Sequence, residues 1–147
     1  MFGQVKKVCK NIIKLQEGKI LKDVLRNTSL QQDIIDLNRD DQLYDKGIRA
    51  DGQSLGEYHA ITIGKKIEKG QRYDHVTLKD TGEFYESFKI KNNENEIIIT
   101  ADAEKPDGNL AFIYGKQILG LTKENLAVVR GWIKPIFLRK TREKIAA

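Results

Sequence analysis

The chain has 147 residues, of which 39% are hydrophobic and 32% are charged, and its formal net charge is +5. This length suits one domain with a buried core, and no stretch approaches the ~20 apolar residues of a membrane-spanning helix. The single cysteine, Cys9, excludes an internal disulfide and a multi-cysteine zinc site. We therefore predict a protein made inside a cell, with Cys9 as a small hydrophobic residue on a helix face.

The charges are unevenly distributed along the chain. Residues 1–26 carry seven bases and two acids, residues 27–122 carry twelve bases and seventeen acids, and residues 123–147 again carry seven bases and two acids. Basic ends around an acidic middle can attract one another, neighbouring copies or a polyanion. The same bases are equally consistent with the solvated faces of two amphipathic helices.

Residues 1–46 are predicted to form a helical amino-terminal arm. From Val5 to Val24 the apolar residues recur at close to the 3.6-residue period of a helix, and Gly18 is the expected break within it. This periodicity predicts an amphipathic helix or a pair of helices at the amino terminus.

Capping side chains predict where the next helices begin. Residues 27–32 supply polar caps, with glutamines three positions after Thr28 and Ser29, which is the spacing of a capping box. A short helix should follow. Asn38 is a candidate for a further cap, and Gly47 is the predicted end of another helical turn.

The middle of the chain, residues 47–115, is punctuated by turns. Residues 51–52 and 106–108 are turn signals, and residues 58–69 have helical spacing that ends at a glycine. Residues 110–114 form an apolar run that periodicity cannot assign to a strand or a helix.

The same middle part is predicted to contain the β-structure. Residues 76–78 predict a brief strand, while alternation within residues 84–91 and the β-branched run at residues 96–101 predict a hairpin that turns at residues 92–95. The aromatic residues Phe84, Tyr85 and Phe88 are predicted to lie in the core.

The last element is predicted to be a helix over residues 122–146. Thr122 is its candidate cap, and Pro135 should kink or break it near Gly131. The apolar face of this helix comprises Leu126, Val129, Ile133 and Phe137. The predicted fold class is therefore α+β, with a small antiparallel β-sheet or hairpin packed with amino-terminal and carboxy-terminal amphipathic helices in one domain, residues 1–147.

Groups that could catalyse a reaction are few. A metal enzyme would have to use His59 and His75 with carboxylates such as Asp74 or Asp80, and no recognised ligand spacing supports that hypothesis. One run of carboxylates lacks the glycine and glutamate positions of a calcium loop; it comprises Asp33, Asp36, Asp40, Asp41 and Asp45. We predict a protein that is not an enzyme, with no catalytic residue, cofactor or metal.

Four segments, in order, resemble a known family. They are residues 51–66 with the Asp51-Gly52 turn, residues 80–88 with Thr81-Gly82, residues 110–115, and residues 119–126 with the Leu-Gly-Leu-Thr helix entry. Together they resemble the tailed-phage virion-morphogenesis and tail-completion proteins of the head–tail joint, over about residues 47–130. The chain departs from that family in lacking a tryptophan after the first turn, where Leu55 or Tyr58 stands, and in its extended basic amino-terminal helix.

The resemblance implies a structural role. It implies a subunit of a homo-oligomeric ring in the virion, made in the host cytoplasm, that meets connector or portal-side and tail-tube proteins, with nonspecific DNA contact and no membrane. The alternative is a basic nucleic-acid-binding module without sequence specificity, favoured by the basic ends. In both cases the predicted interface lies on the last helix and comprises Trp132, Phe137, Arg139, Lys140, Arg142 and Lys144.

Overall fold

The computed structural model describes the backbone of residues 8–14 and all of residues 22–92 and 96–146. Its elements in chain order are β1 (Val8–Lys14), α1 (Thr28–Asp36), a π-helical segment (Leu37–Lys46), α2 (Ala60–Glu68), α3 (Glu83–Glu86), β2 (Lys89–Asn92), β3 (Glu96–Asp102), β4 (Glu104–Lys105), β5 (Gly108–Asn109), α4 (Leu110–Tyr114), a 3-10 turn (Lys116–Ile118) and α5 (Lys123–Ala146). The fold class is α+β, as predicted: helices surround small antiparallel sheets.

The larger sheet has three strands in the order β1-β3-β2. The predicted hairpin is confirmed, with Lys89 of β2 opposite Thr100 of β3. One face of β3 packs against the core, because its alternate residues Ile97, Ile99 and Ala101 are buried. The strand has a neighbour on both sides, so its backbone groups can be paired along both edges.

The predicted amino-terminal helix is wrong for residues 8–14. These residues form β1, which pairs antiparallel with β3 from Val8 opposite Asp102 to Lys14 opposite Glu96. The predicted helical setting of Cys9 is wrong for the same reason. A short run that contains β-branched residues fits a strand as well as a helix, and the second edge of β3 decides between them. The remainder of the predicted helix at residues 1–7 and 15–21 lies outside the described residues.

Helix α1 begins where the capping pattern predicts. The cap is Asn27, whose side-chain oxygen accepts hydrogen bonds from the backbone N–H groups of Ser29 at 2.9 Å and Leu30 at 3.2 Å. Such a cap contributes about 1 kcal/mol to helix stability. The prediction of a second cap at Asn38 is wrong, because α1 continues directly into the π-helical segment and Asn38 is buried within it. The segment ends at Gly47, whose φ of 62° is left-handed, as predicted.

The predicted aromatic core is confirmed. Phe84, Tyr85 and Phe88 are buried, and the rings of Phe84 and Phe88 meet edge to face with centroids 5.1 Å apart. The strand predicted at residues 76–78 is absent from this described part of the chain. Two tyrosine hydroxyls take the place of a neighbouring strand: Tyr58 accepts from the Thr77 N–H at 2.9 Å, and Tyr85 donates to the Thr77 carbonyl.

The remaining helices match or extend the predictions. Helix α2 lies within the predicted residues 58–69, and the unassigned apolar run forms α4. A kink or a break was predicted near Gly131; the break is wrong, because α5 runs through Pro135 from Lys123 to Ala146, and the kink stays a prediction. Ile133 before the proline is buried, and Phe137 after it packs against the core. Both halves are therefore held in place by packing, which offsets the lost backbone hydrogen bond.

Candidate functional site

Helix α5 carries every residue of the predicted interface. Its first turn is fixed by Thr122, whose hydroxyl accepts from the Asn125 N–H at 3.2 Å, as the capping prediction requires. Asn125, Val129 and Ile133 form its buried face. This packing fixes the direction of the helix and so determines which of its side chains face solvent.

The residues of the predicted interface differ in how exposed they are. Phe137 is half-buried against the core, whereas Trp132 keeps 37% of its surface exposed. Arg139, Arg142 and Lys144 are exposed and Lys140 is half-buried. Whether these residues contact a partner stays a prediction.

The basic residues at the end of α5 are almost free of ion pairs. Arg139 lies 4.0 Å from Glu143, and that is the one ion pair of α5 within the described residues. Both side chains of that pair are more than two-thirds exposed, so solvent screens it and it contributes little to stability. The end of the helix therefore presents a net positive charge that the described part of the protein does not neutralise.

Earlier bases on α5 extend this surface. Lys123, Arg130 and Lys134 are exposed. Their spacings of seven and four residues bring them within about 40° of one another around a helix that turns 100° per residue. The four bases after Leu138 are distributed around the end of the helix and are not confined to this side. We call these three residues and the four terminal bases together the basic face of α5.

A surface of the opposite charge lies on another side of the same helix. Trp132 lines an open hollow with carboxylates of α1 and the π-helical segment. The acidic members are Asp33, Asp36, Asp40, Asp41 and Asp45, the run noted in the sequence. By helix geometry Trp132 points about 180° away from the mean direction of Lys123, Arg130 and Lys134. We call this surface the acidic hollow.

Most carboxylates of the acidic hollow already have basic partners. Arg39 lies 3.2 Å from Asp36 and 3.0 Å from Asp40, and the hydrogen bond with Asp40 raises the pKa of Arg39. Lys46 lies 3.2 Å from Asp41. These contacts support a solvated structural surface.

The two histidines lie apart from any metal-ligating cluster. His75 lies between two backbone carbonyls, with Nδ1 3.0 Å from that of Val76 and Nε2 3.1 Å from that of Asp45, and a neutral imidazole donates to one of the two. His59 is exposed in front of α2 and makes no capping bond. Among residues 8–14, 22–92 and 96–146, no three His, Cys, Asp or Glu side chains are grouped so that they could hold a metal ion. In the same ranges, none of the helices has the length and apolar character needed to cross a bilayer.

A second basic feature was not predicted from the sequence. A cleft of about 380 Å³ lies between α2 and the segment from β4 to α4. Lys65, Lys66 and Lys69 of α2 line one wall, and Lys105 and Tyr114 lie among its other lining residues. In the sequence, the available signal for a basic site was the presence of three lysines in a five-residue stretch of the predicted helix, residues 65–69. Only the tertiary structure shows which residues lie opposite them. We call this feature the lysine cleft.

Comparison with known proteins gives one partial similarity. No protein-family model and no solved structure matches the chain. The chain is 31% identical over 81 residues to a fission-yeast (Schizosaccharomyces pombe) protein described as "Probable U3 small nucleolar RNA-associated protein 18". The match covers 54% of this chain and 15% of that protein, so the chain spans only a small part of its relative.

This similarity overturns the functional expectation drawn from the phage resemblance. The matched protein comes from a yeast and is described by its association with an RNA, whereas a phage structural protein was predicted. The predicted role in a virion and the predicted location in a virion are therefore wrong. The resemblance depended on turn and cap residues, which specify local backbone geometry in many unrelated proteins. Self-association of the chain stays a prediction.

Proposed function

We propose that the chain is a nucleic-acid-binding module that holds the phosphate backbone of RNA without reading its sequence. The observation that carries this proposal is the basic face of α5, a helix that carries seven bases and only two acids. The partial similarity to a protein described as RNA-associated supports RNA as the partner.

The physical basis is the release of counterions. Each Lys or Arg that contacts a phosphate displaces condensed cations from the nucleic acid, which makes binding tighter at low salt than at high salt. Because Arg142 and Lys144 are exposed and form no ion pair within the described residues, their charges are available for such contacts. An ion-paired base would first have to leave its carboxylate.

Charge also determines the side from which RNA can approach. The acidic hollow repels phosphate, and it lies on the side of α5 that Trp132 faces. Arg130 and Lys134 point away from that hollow. RNA is therefore expected to lie along the Arg130 and Lys134 side and to continue past Leu138 to the end of the helix.

The contacts available on α5 suit the backbone and not the bases. Long flexible lysine and arginine side chains bind phosphate oxygens, and such contacts position a nucleic acid without specifying its sequence. Sequence-specific recognition of single-stranded RNA relies on aromatic side chains on which unstacked bases lie. The exposed aromatic residue of α5 is Trp132, and it faces the acidic hollow.

The test is a titration of short single-stranded RNA at about 50 mM and about 200 mM salt. A variant with Arg139→Gln, Lys140→Gln, Arg142→Gln and Lys144→Gln should bind more weakly and lower the slope of log K against log salt by up to about 3, since each contact with a single strand contributes about 0.7. RNAs of different sequence should be affected equally.

The matched control removes four bases from other described surfaces. It carries Lys46→Gln, Lys89→Gln, Lys91→Gln and Lys116→Gln, all at exposed positions. This variant has the same net charge as the α5 variant and should keep most of the salt slope. Equal weakening in both variants would show that net charge alone attracts RNA, and no binding of RNA at low salt would remove the proposal altogether.

A further inference from the structure

We propose that the lysine cleft is a second binding site that takes a phosphate monoester on a ligand of nucleotide size. The site uses residues of α2, of the segment 71–80 that follows it, of β4 and of α4, and none of the basic face of α5. It therefore goes beyond the proposed contact with the RNA backbone and can be tested independently of it.

The proposal begins with Lys66, whose side chain is inside the protein although it carries a charge. Lys66 is 6% exposed. Its ammonium donates to the Lys79 carbonyl at 3.0 Å and to the side-chain oxygen of Gln71 at 3.3 Å, and it lies 4.7 Å from the centre of the Tyr58 ring. Both hydrogen-bonding partners are neutral, and within the described part of the chain Lys66 forms no ion pair.

A buried ammonium without a carboxylate is costly, because neutral partners recover only part of its hydration. An ammonium has three donors, and two of those of Lys66 are used in the bonds to Lys79 and Gln71. The third has no hydrogen-bond acceptor among the described residues, and the Tyr58 ring lies beside the ammonium. An anionic oxygen in the cleft would supply a counter-charge in direct contact with the ammonium, which the more distant carboxylate of Asp80 does not provide.

Neighbouring lysines favour a group with more than one negative charge. Lys65 and Lys105 also line the cleft and form no ion pair within the residues the structure describes. The ammonium of Lys79 is directed elsewhere and lies over the rings of Tyr44 and Tyr85. Three ammonium groups around one cleft thus form no ion pair among the described residues. Although Asp107 also lines the cleft, its lysines outnumber its carboxylates. This excess of positive charge suits the several oxygens and the charge of a phosphate monoester.

Lys69 provides the fourth positive charge, and it is held by an internal anion. Its ammonium lies 3.3 Å from Asp80, and the hydrogen bond from Lys69 lowers the pKa of Asp80, with further contributions from Gln71 and from the charge of Lys66. Asp80 therefore remains ionised and competes with an incoming phosphate. Removing its charge without removing its hydrogen-bond acceptor should improve binding.

The size and the apolar lining of the cleft indicate what the phosphate is attached to. A cleft of about 380 Å³ lies in the range of small-molecule sites. Val76, Leu78 and Leu110 contribute apolar surface, and Tyr114 contributes a half-buried ring. A base and a ribose fit this combination of apolar surface and tyrosine, with the phosphate at the lysines. The ligand could be a free nucleotide or the phosphorylated end of an RNA strand, which share this chemistry.

The first experiment uses the intact chain and calorimetric titration with adenosine monophosphate, adenosine and inorganic phosphate. Adenosine monophosphate should bind at least about tenfold more tightly than adenosine, because charge-assisted bonds to phosphate contribute that much. Lys66→Met should weaken its binding by about tenfold or more. Equal affinity for the monophosphate and the nucleoside, or no binding of the monophosphate, would overturn the proposal.

Two further variants keep the test valid if Lys66→Met does not fold. Lys65→Gln changes an exposed residue and should weaken binding several-fold, whereas the same change at the exposed Lys89, outside the cleft, should not. Asp80→Asn should tighten binding. A structural role alone for these residues predicts no tightening, so unchanged or weaker binding by a folded Asp80→Asn protein would count against the site.

Two RNA strands of the same sequence, one with a 5′-phosphate and one with a 5′-hydroxyl, show whether the ligand is a free nucleotide or an RNA end. A strand with a 5′-phosphate that binds more tightly than the same strand with a 5′-hydroxyl identifies an RNA end as the ligand. Equal binding of the two strands, with adenosine monophosphate still bound, identifies a free nucleotide. The hydroxyl strand also separates the two proposals, since its binding should depend on α5 and be unaffected by Lys65→Gln.

Discussion

The buried side chains of Gln42 and Asn125 join the π-helical segment to α5. Asn125 Nδ2 donates to Gln42 Oε1 at 2.8 Å. The same Gln42 oxygen accepts from the Thr122 N–H at 2.9 Å, while Gln42 Nε2 donates to the Gly120 carbonyl at 2.9 Å. The side-chain amide of Gln42 thus holds the loop that leads into α5. By fixing this loop, it also fixes the direction of the helix that carries the basic face.

Gln42→Leu should therefore destabilise the whole fold. The substitution leaves the buried Gly120 carbonyl and Thr122 N–H without partners, and two or three such losses amount to about 3 kcal/mol or more of unfolding free energy. Chemical denaturation measures the change. Gln32→Leu is the control, since Gln32 is exposed and bonds one surface carboxylate, and it should change stability by less than about 0.5 kcal/mol. A Gln42→Leu protein as stable as the native one would mean that this network does not hold the loop.

Gly47→Ala should destabilise the end of the π-helical segment. Gly47 has a left-handed φ of 62°, and a Cβ there would lie 2.5 Å from Nδ1 of His75. The left-handed backbone costs about 1–2 kcal/mol for a residue with a Cβ, and the His75 ring would also have to leave its position between the Val76 and Asp45 carbonyls. We expect a loss of about 2 kcal/mol or more in thermal or chemical unfolding.

The control for Gly47→Ala is a second glycine-to-alanine substitution, which should change stability in the opposite direction. Gly64 lies within α2, and a Cβ there would meet open space. Gly64→Ala should stabilise the protein by about 0.5–1 kcal/mol, because alanine loses less backbone entropy than glycine in a helix. If both alanine variants shift stability in the same direction, the close approach of His75 is not the cause.

Tyr85 should make stability fall at alkaline pH. Burial raises the pKa of Tyr85 above its ordinary value of 10.0, and its hydroxyl donates to the Thr77 carbonyl. The folded protein then keeps a proton that the unfolded chain releases, so the contribution is complete below pH 10 and is lost as pH rises from 10 towards the folded pKa. The slope in that window is about 1.4 kcal/mol per pH unit.

Unfolding curves between neutral pH and the alkaline window test this dependence. Tyr85→Phe should cost about 1 kcal/mol near neutral pH through the lost hydrogen bond and should approach the native protein in stability above pH 10. Tyr73→Phe, at an exposed position, should leave the alkaline decline unchanged. A constant difference between native and Tyr85→Phe proteins across the window would contradict the assignment.

Truncation after Leu138 should separate folding from RNA binding. Residues 139–146 contribute no side chain to the buried core, and Ile145, the last large apolar residue, is 79% exposed. Cooperative unfolding should therefore be retained, with a change in stability of about 1 kcal/mol or less. RNA affinity and its salt slope should both fall, as in the four-residue variant of α5. Loss of cooperative unfolding would show that the end of the helix belongs to the fold.

The sequence by itself determined the features that depend on neighbouring residues. The cap before α1, the left-handed end at Gly47, the hairpin of β2 and β3, and the start of α5 after Thr122 all follow from side chains a few positions apart. Such features depend on local hydrogen bonds and backbone preference, which a sequence states directly. The bases of the α5 surface were likewise visible as a run of charge.

Only the tertiary structure decided the features that depend on distant partners. Residues 8–14 became a strand because β3, which begins at Glu96, had a free edge. Residues 76–78 stayed outside any sheet, and two tyrosine hydroxyls bond the N–H and the carbonyl of Thr77 there. The burial of Lys66 and the position of Lys105 beside it depend on packing between elements forty residues apart. Non-local contacts of this kind leave no periodic signal, because each residue type is locally compatible with several environments.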